Sequence, residues 1–162
     1  MIIITQYWEE CDEEGKIHIR SEEDSVCPIC CGELKVIGIR ERSLTNSAGD
    51  KEILVIRRLR CQKCRKIHHE LPDRVIPYKR HCAETIENII SGKDMDVCCD
   101  FAVEKRIRAW WAAMCLYFES VMTSLRIKYG AVFSENPTPR EIVRAIVNAN
   151  LWAHTRSASP PI

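Results

Sequence analysis

Short runs of β-branched residues dominate the first half of the chain and predict strands. The run IIIT at residues 2–5 predicts a short strand, and the acid-rich EECDEEGK at residues 9–16 predicts a connector after it. Residues 33–42 and 51–60 both have strand-like composition, and the turn-forming stretch SLTNSAGD lies between them. This arrangement is typical of a β-hairpin.

Helical periodicity replaces this pattern after Pro77. Three isoleucines between residues 86 and 90 fall on one side of a helix predicted from about residue 79 to Ser91, with Gly92 as its stop. A turn at GKDMD leads to a long helix over residues 100–129, for which aspartate is a suitable N-cap. A capping-box pattern at Thr138, with proline at the first helical position, predicts a last helix through about residue 153.

The long helix carries an apolar stripe about 140° wide when its residues are placed at ~100° intervals. We expect this stripe to pack on the preceding helix, with Lys105 and Arg108 on the far side. A helix, a short turn and a second helix with exposed bases form the outline of a helix-turn-helix, whose second helix enters the DNA major groove. Lys105 and Arg108 are therefore expected to contact DNA.

These elements predict an α+β fold. It begins with a four-cysteine zinc-ribbon β-hairpin region at residues 1–78, and an all-α helix-turn-helix-like bundle with one long helix follows at residues 79–155. Residues 156–162 (RSASPPI) are expected to be a disordered tail.

The composition of the chain also indicates the cellular compartment in which we expect the protein. The chain has 162 residues, of which 46% are hydrophobic and 29% charged, as in ordinary soluble globular proteins. No apolar run approaches the roughly 18–20 residues of a membrane span, and the first residues lack the pattern of a signal peptide. We therefore expect a cytoplasmic protein with no membrane partner. In a reducing compartment, its ten cysteines are expected to be thiols or metal ligands rather than disulfides.

Four cysteines form two Cys-x-x-Cys motifs, called knuckles below: Cys27 with Cys30, and Cys61 with Cys64. Two intervening residues let both thiolates of a knuckle point at one ion, and the predicted hairpin brings the knuckles together. Four thiolates favour Zn²⁺ over hard cations, and a closed four-thiolate site is structural. We predict one structural Zn²⁺ that stabilises a hairpin too small to bury a sufficient core.

The exact ligand set has alternatives. Cys31 stands directly after the first knuckle, where many knuckles have a glycine in a left-handed conformation, so it competes with Cys30. His68 or His69 could also replace a cysteine. Adjacent histidines in a strand point in opposite directions, so we expect only one of them to pack or hydrogen-bond against the knuckle. The six cysteines outside the knuckles are expected to be small buried apolar residues.

Charge is segregated along the chain, although the formal net charge is only +1. Residues 1–26 contain eight acidic and two basic residues, whereas residues 27–80 contain six acidic and thirteen basic ones. A solvated charged face is one explanation; an anionic partner is the other, because basic side chains on a rigid ribbon neutralise phosphates. The expected contacts are Arg57, Arg58, Arg60, Lys63, Arg65 and Lys66, with Arg40 and Arg42 on the facing strand.

These motifs resemble a known group of proteins. CPIC, RRLRCQKCRKIHHELPDRVIPYKRHCAETIE and DFAVEKRIRAWW are similar to segments of an uncharacterised bacterial family found with mobile elements. Its members have a zinc ribbon followed by a helix-turn-helix-like region. The arrangement also resembles the N-terminal DNA-recognition part of zinc-ribbon transposases, but the transposase catalytic core is absent. The resemblance implies DNA binding by analogy only.

The sequence therefore favours a zinc-dependent DNA-binding protein, an accessory or regulatory factor of a transposon or other mobile element. Its expected partners are double-stranded DNA and a transposase or integrase. Two alternatives remain open: a zinc-stabilised protein-interaction adaptor, and a metal-dependent nuclease that uses His68, His69 and Asp73. The spacing of those three residues matches no hydrolytic motif, so we do not expect an enzyme.

Overall fold

A computed structural model of the chain describes residues 1–92 and 97–153, which contain a six-stranded sheet and three helices. The strands are β1 (Ile2–Ile4), β2 (Tyr7–Cys11), β3 (Ile17–Ser21), β4 (Leu34–Thr45), β5 (Lys51–Cys61) and β6 (Ile67–Pro72). The helices are α1 (Ala83–Ser91), α2 (Phe101–Tyr129) and α3 (Pro139–Asn148).

The predicted hairpin is present, and its second strand, β5, is the strand that pairs with β3, β4 and β6. β4 and β5 pair in antiparallel register along their whole length, from Leu34 opposite Cys61 to Thr45 opposite Lys51. A bulge between Val36 and Gly38 shifts the register by one residue near the knuckle end. The hairpin places both knuckles at the same end of the sheet.

The opposite edge of β5 is shared by two strands. β3 pairs with it in parallel near Leu54, and β6 pairs with it in antiparallel near Leu59. β2 continues the sheet beyond β3, and β1 pairs in parallel with β6, so the sheet is mixed. β2 and β3 form a second hairpin over residues 7–21, so the acid-rich segment predicted as a connector is the end of β2 (residues 9–11) and the turn of this hairpin (residues 12–16).

Four of the six helix ends lie where their sequence signals predict, but α1 begins about four residues later than predicted, at Ala83, and α3 ends about five residues earlier, at Asn148. Gly92 ends α1 with φ of 78°, and Asp100 is the residue before α2. The capping box of α3 is complete: the N–H of Glu141 donates to the Thr138 hydroxyl, and the Thr138 N–H donates to the Glu141 carboxylate. The apolar stripe of α2 is confirmed as core, since the six buried residues of α2 all belong to it: Ile107, Met114, Phe118, Val121, Met122 and Leu125.

The expected all-α helix-turn-helix-like bundle is wrong. The helices and the sheet share one hydrophobic core, in which Leu54 and Ile56 of β5 belong to the same cluster as Ile86 of α1 and Phe118 of α2. α3 packs against β1 as well as against the other helices. An amphipathic stripe shows only that a helix has a buried face, and here that face completes the core of a mixed sheet. The assignment of Lys105 and Arg108 to the major groove depended on the bundle and loses its basis.

The turn at residues 93–96 and the tail at 156–162 lie outside the described residues, so they stay predictions. Within the described part of the chain, no helix has the length and apolar character needed to cross a membrane.

Candidate metal centre and the basic surface beside it

The two knuckles have the same backbone conformation. In each, the N–H of the first cysteine, Cys27 or Cys61, donates to the carbonyl five residues later at 3.0 Å. In each, the residue after the second cysteine is left-handed, with φ of 54° at Cys31 and 64° at Arg65. The N–H of that residue donates back to the first cysteine's carbonyl, at 2.8 and 3.1 Å. This repeated loop directs both thiols of a knuckle to one point.

The four knuckle sulfurs lie close enough together to hold a metal ion. Sγ of Cys27 is 3.6 Å from that of Cys64, Sγ of Cys30 is 3.5 Å from that of Cys61, and all four lie within 4.8 Å of one another. Sulfurs at about 2.3 Å from a tetrahedral ion are roughly 3.8 Å apart, which matches this spacing. In the described part of the chain, no other group of histidine, cysteine or acidic side chains meets the same criterion.

The electrostatics of this cluster favour a bound cation. The N–H of Cys64, which points at Sγ of Cys61, lowers the pKa of the Cys61 thiol to about 6. Although a backbone N–H at Lys66 favours the thiolate of Cys64, burial and the neighbouring sulfurs raise the pKa of that thiol to about 12. The thiol of Cys61 therefore loses its proton easily, whereas the neighbouring sulfurs oppose deprotonation of Cys64. A divalent ion removes that opposition because it stabilises every thiolate it binds.

Cys31 is not part of the cluster. Its backbone takes the left-handed conformation expected after a knuckle, and its side chain is exposed. The next residue, Gly32, has a different reason to lack a side chain: a Cβ there would lie 3.0 Å from Sγ of Cys61 and 3.3 Å from Sγ of Cys30. Cys30 is thus the fourth sulfur. The prediction that the cysteines outside the knuckles are buried is wrong for most of them. Only Cys82 of these six cysteines is buried.

The two adjacent histidines point to opposite faces of the sheet, as strand alternation predicts. His68 is buried, and its Nε2 lies 3.4 Å from Sγ of Cys27. Burial lowers the pKa of His68, so the neutral ring supports the knuckle. His69 pairs with Arg58 on the other face, where burial and then Arg40 and Arg58 lower its pKa.

Asp73, the remaining residue of the suggested hydrolytic site, and the neighbouring acid Glu70 both have structural partners. Glu70 is only 1% exposed and forms a two-pronged ion pair with Arg57, with distances of 2.6 Å to Nε and 2.9 Å to the terminal nitrogen. Asp73 accepts a hydrogen bond from the Tyr7 hydroxyl at 3.0 Å. The Arg57 guanidinium is therefore directed at Glu70, on the face of β5 that also holds the metal centre.

A basic surface occupies the opposite face at the same end of the sheet. Strand register places Arg58 and Arg60 of β5 on this face, together with His69 of β6. β4 contributes the residues opposite Arg60, Arg58, Ile56 and Leu54, three of which are basic: Lys35, Arg40 and Arg42. Among the described residues, none of these five lysine and arginine side chains forms an ion pair with an acid. We call Lys35, Arg40, Arg42, Arg58 and Arg60 the basic face.

The other predicted contacts lie in two places. Lys63, Arg65 and Lys66 are exposed on the second knuckle, beside the basic face. Lys105 is exposed and Arg108 partly exposed near the start of α2. Neither of them lines the cavity near the start of α2, whose described lining includes Arg106, Lys79 and His81.

Three residues of this region were not predicted as site residues from the sequence. The partnership of Glu70 with Arg57 spans 13 positions and has no local signal. Lys35 joins the basic face only because the bulge in β4 shifts its register. Tyr78 lines two cavities. A turn at this position could have been predicted from the sequence, because Pro77 directly precedes the tyrosine.

Fold and site together define a small mixed-sheet protein with four cysteines at one end that lie close enough to hold a metal ion. A model of the family described as Domain of unknown function (DUF6431) matches residues 27–110, which is just over half of the chain. The chain therefore belongs to this family, and the match includes both knuckles and the start of α2. Searches of curated proteins and of solved structures return no match.

Proposed function

We propose that this chain is a zinc-ribbon protein that binds nucleic acid, with double-stranded DNA as its partner. The observation that carries the proposal is the contrast between two adjacent arginines. Arg57 is paired with a buried carboxylate, whereas Arg58 and the rest of the basic face have no acidic partner among the described residues. Uncompensated cations on a rigid scaffold are expected where an anionic ligand supplies the missing charge.

Zinc is the metal that we assign to the four cysteines. Soft thiolate ligands in a tetrahedral set select zinc or iron over hard cations, and a closed set of four is typical of structural zinc. The ion would join the start of β4 to the end of β5 and so hold the basic strands in register. It carries no catalytic role here, because all four positions are occupied by protein sulfurs.

Phosphate groups are the anions that the basic face fits. Arg58 and Arg60 lie two residues apart on β5 and so point to the same side, and Lys63, Arg65 and Lys66 extend the positive charge around the second knuckle. Contacts of this kind position a duplex without reading its sequence. The role is thus to hold DNA through its backbone, and each contact releases condensed counterions.

A salt titration of duplex binding tests the proposal. Fluorescence anisotropy with a labelled 20-base-pair duplex should show affinity that falls steeply with salt, and a triple Arg58→Ala, Arg60→Ala, Lys63→Ala variant should reduce the slope by about three units. The matched control is Arg20→Ala, which removes one charge from the acidic β2–β3 hairpin and should leave the slope unchanged. Binding without salt dependence, or none at all, would favour the adaptor alternative instead.

A role beside a transposase or integrase of a mobile element is a further part of the proposal. It is supported only by the resemblance of the knuckle and arginine-rich segments to zinc-ribbon transposases. Co-purification of this chain with such an enzyme on a shared DNA fragment would support it. Independent binding of the two proteins to separate fragments would contradict it.

A further inference from the structure

The turn at Ile76–Lys79 places a tyrosine where the backbone favours glycine. The N–H of Lys79 donates to the carbonyl of Ile76 at 3.1 Å, which closes a four-residue turn with Pro77 in its second position. Tyr78 in the third position has φ of 63°. Proline followed by a positive φ is the pattern of a type II turn, whose third residue is usually glycine. A bulky side chain at such a position is strained, and strain of this kind concentrates at functional sites.

Arg42 of the basic face holds this turn in place. Its guanidinium donates to the carbonyls of Ile76 at 3.2 Å and Lys79 at 3.0 Å, one on each side of Tyr78. The tyrosine is 47% exposed although the turn around it is fixed. The backbone here therefore presents an aromatic ring to solvent at the margin of the basic face.

Two cavities meet at this ring. One has a volume of about 440 Å³ and is lined by Tyr78 together with Arg40, Arg42 and His69. The acid on its lining, Glu41, is paired with Lys16 at 2.9 Å. Its positive charge therefore exceeds its negative charge.

The second cavity, of about 390 Å³, is lined by Tyr78 with Lys79, Arg80, His81 and Arg106, and no acid is on the lining that the structure describes. One lining residue of each cavity also has a buried nitrogen without a hydrogen-bond partner among the described residues: Arg42 Nε at the first cavity and His81 Nδ1 at the second. On the linings that the structure describes, basic side chains thus outnumber unpaired acids in both cavities.

We propose that Tyr78 and its two flanking cavities bind an unpaired stretch of a nucleic-acid strand, with one base stacked on the ring and a phosphate in each cavity. A positive groove interrupted by an exposed aromatic ring is the usual arrangement for single-stranded nucleic acid, because every base has a face that can stack. A duplex keeps its bases stacked on one another and has no use for the ring. This inference rests on the proposed function and adds to it the form of the nucleic acid.

Tyr78→Gly is the decisive variant, because glycine suits the left-handed turn and removes the ring without straining the backbone. Single-stranded DNA that contains 2-aminopurine, whose fluorescence falls when it stacks, serves as the probe, and the duplex of the same sequence as its comparison. The wild type should bind the single strand and quench the probe. Tyr78→Gly should weaken this binding roughly five- to a hundredfold, with an unchanged or higher melting temperature.

Two controls separate the ring from its surroundings. Tyr78→Phe keeps the ring without its hydroxyl and should bind the single strand like the wild type. Arg106→Ala, at the exposed side of the second cavity, should reduce the salt slope of single-strand binding by about one unit.

The outcomes distinguish this inference from the proposed function. Single-strand binding and quenching that are the same in Tyr78→Gly and the wild type would overturn the inference, while salt-dependent duplex binding would still support the proposed function. If the wild type binds neither form of DNA, both proposals fail. Loss of single-strand binding in Tyr78→Gly with retained duplex binding is the result that supports both.

Discussion

The two faces of β5 at the metal end of the sheet have opposite electrostatic arrangements. On one face, Arg57 reaches the buried carboxylate of Glu70, and the segment after β3 supplies further acids. On the other face, Arg58 and Arg60 have no acidic partner among the described residues. Neighbouring residues of one type therefore serve stability on one face and are available for a ligand on the other. The alternation of side chains along a strand is what separates them.

The metal centre lies on the face of Arg57, but it joins the ends of the two strands, β4 and β5, that carry both faces, so its removal should have the largest effect. We expect Cys61→Ser to lose the zinc and unfold the knuckle end of the sheet, because metal-binding free energy stabilises a region with little core of its own. Metal analysis and limited proteolysis measure this. Cys31→Ser is the matched control and should keep about one zinc per chain, since Cys31 is outside the cluster. A Cys61→Ser protein that stays metal-free and resists proteolysis would contradict the prediction.

Arg57→Ala should break the first face without affecting the second. It leaves the carboxylate of Glu70 buried and unpaired, so we expect the free energy of unfolding to fall by about 3 kcal/mol in urea denaturation. Duplex affinity at a temperature where the variant is folded should change little. A double Arg57→Met, Glu70→Leu variant should recover much of the stability, because apolar residues leave no buried charge. Stability like that of the wild type in Arg57→Ala would show that the pair contributes nothing.

Arg58→Ala should show the opposite pattern. We expect its free energy of unfolding to stay within about 0.5 kcal/mol of the wild type, because Arg58 is partly exposed and has no acidic partner among the described residues. The salt slope of duplex binding should fall by about one unit, and Arg60→Ala should behave in the same way. Equal slopes for the wild type, Arg57→Ala and Arg58→Ala would remove the functional difference between the faces.

The smallest effect concerns Lys79, at the margin of the second face. Burial lowers the pKa of its ammonium group to about 8, where it lies 3.8 Å from the centre of the Trp110 ring. Between pH 8 and the ordinary lysine value of 10.5, the unfolded chain keeps a proton that the folded chain has lost. The stability of the wild type should therefore rise with pH in this window relative to Lys79→Met. Urea denaturation from pH 7 to 10 measures the difference, which a constant offset between the two proteins would contradict.

The features that the sequence determined are those with short-range causes. Knuckle spacing, the arms of the β4–β5 hairpin, the capping box at Thr138 and the stripe of α2 all depend on residues near one another in the chain. Strand alternation, which has a period of two residues, likewise puts Arg57 on the opposite face from Arg58 and Arg60. Each of these follows from the period of a helix or strand, or from the conformation of one turn.

Only the tertiary structure decided how these pieces assemble. The β2–β3 hairpin was not predicted, because its strands are rich in acids and partly exposed and so have little apolar periodicity. The face of α2 has the same pattern whether it packs in a bundle or on a sheet, so the helix-turn-helix expectation was not excluded by any local signal. The pairing of Arg57 with Glu70 and the position of Tyr78 between two cationic cavities depend on strands and turns that meet only in the folded chain. Charge complementarity acts through space, and the order of residues along the chain does not record it.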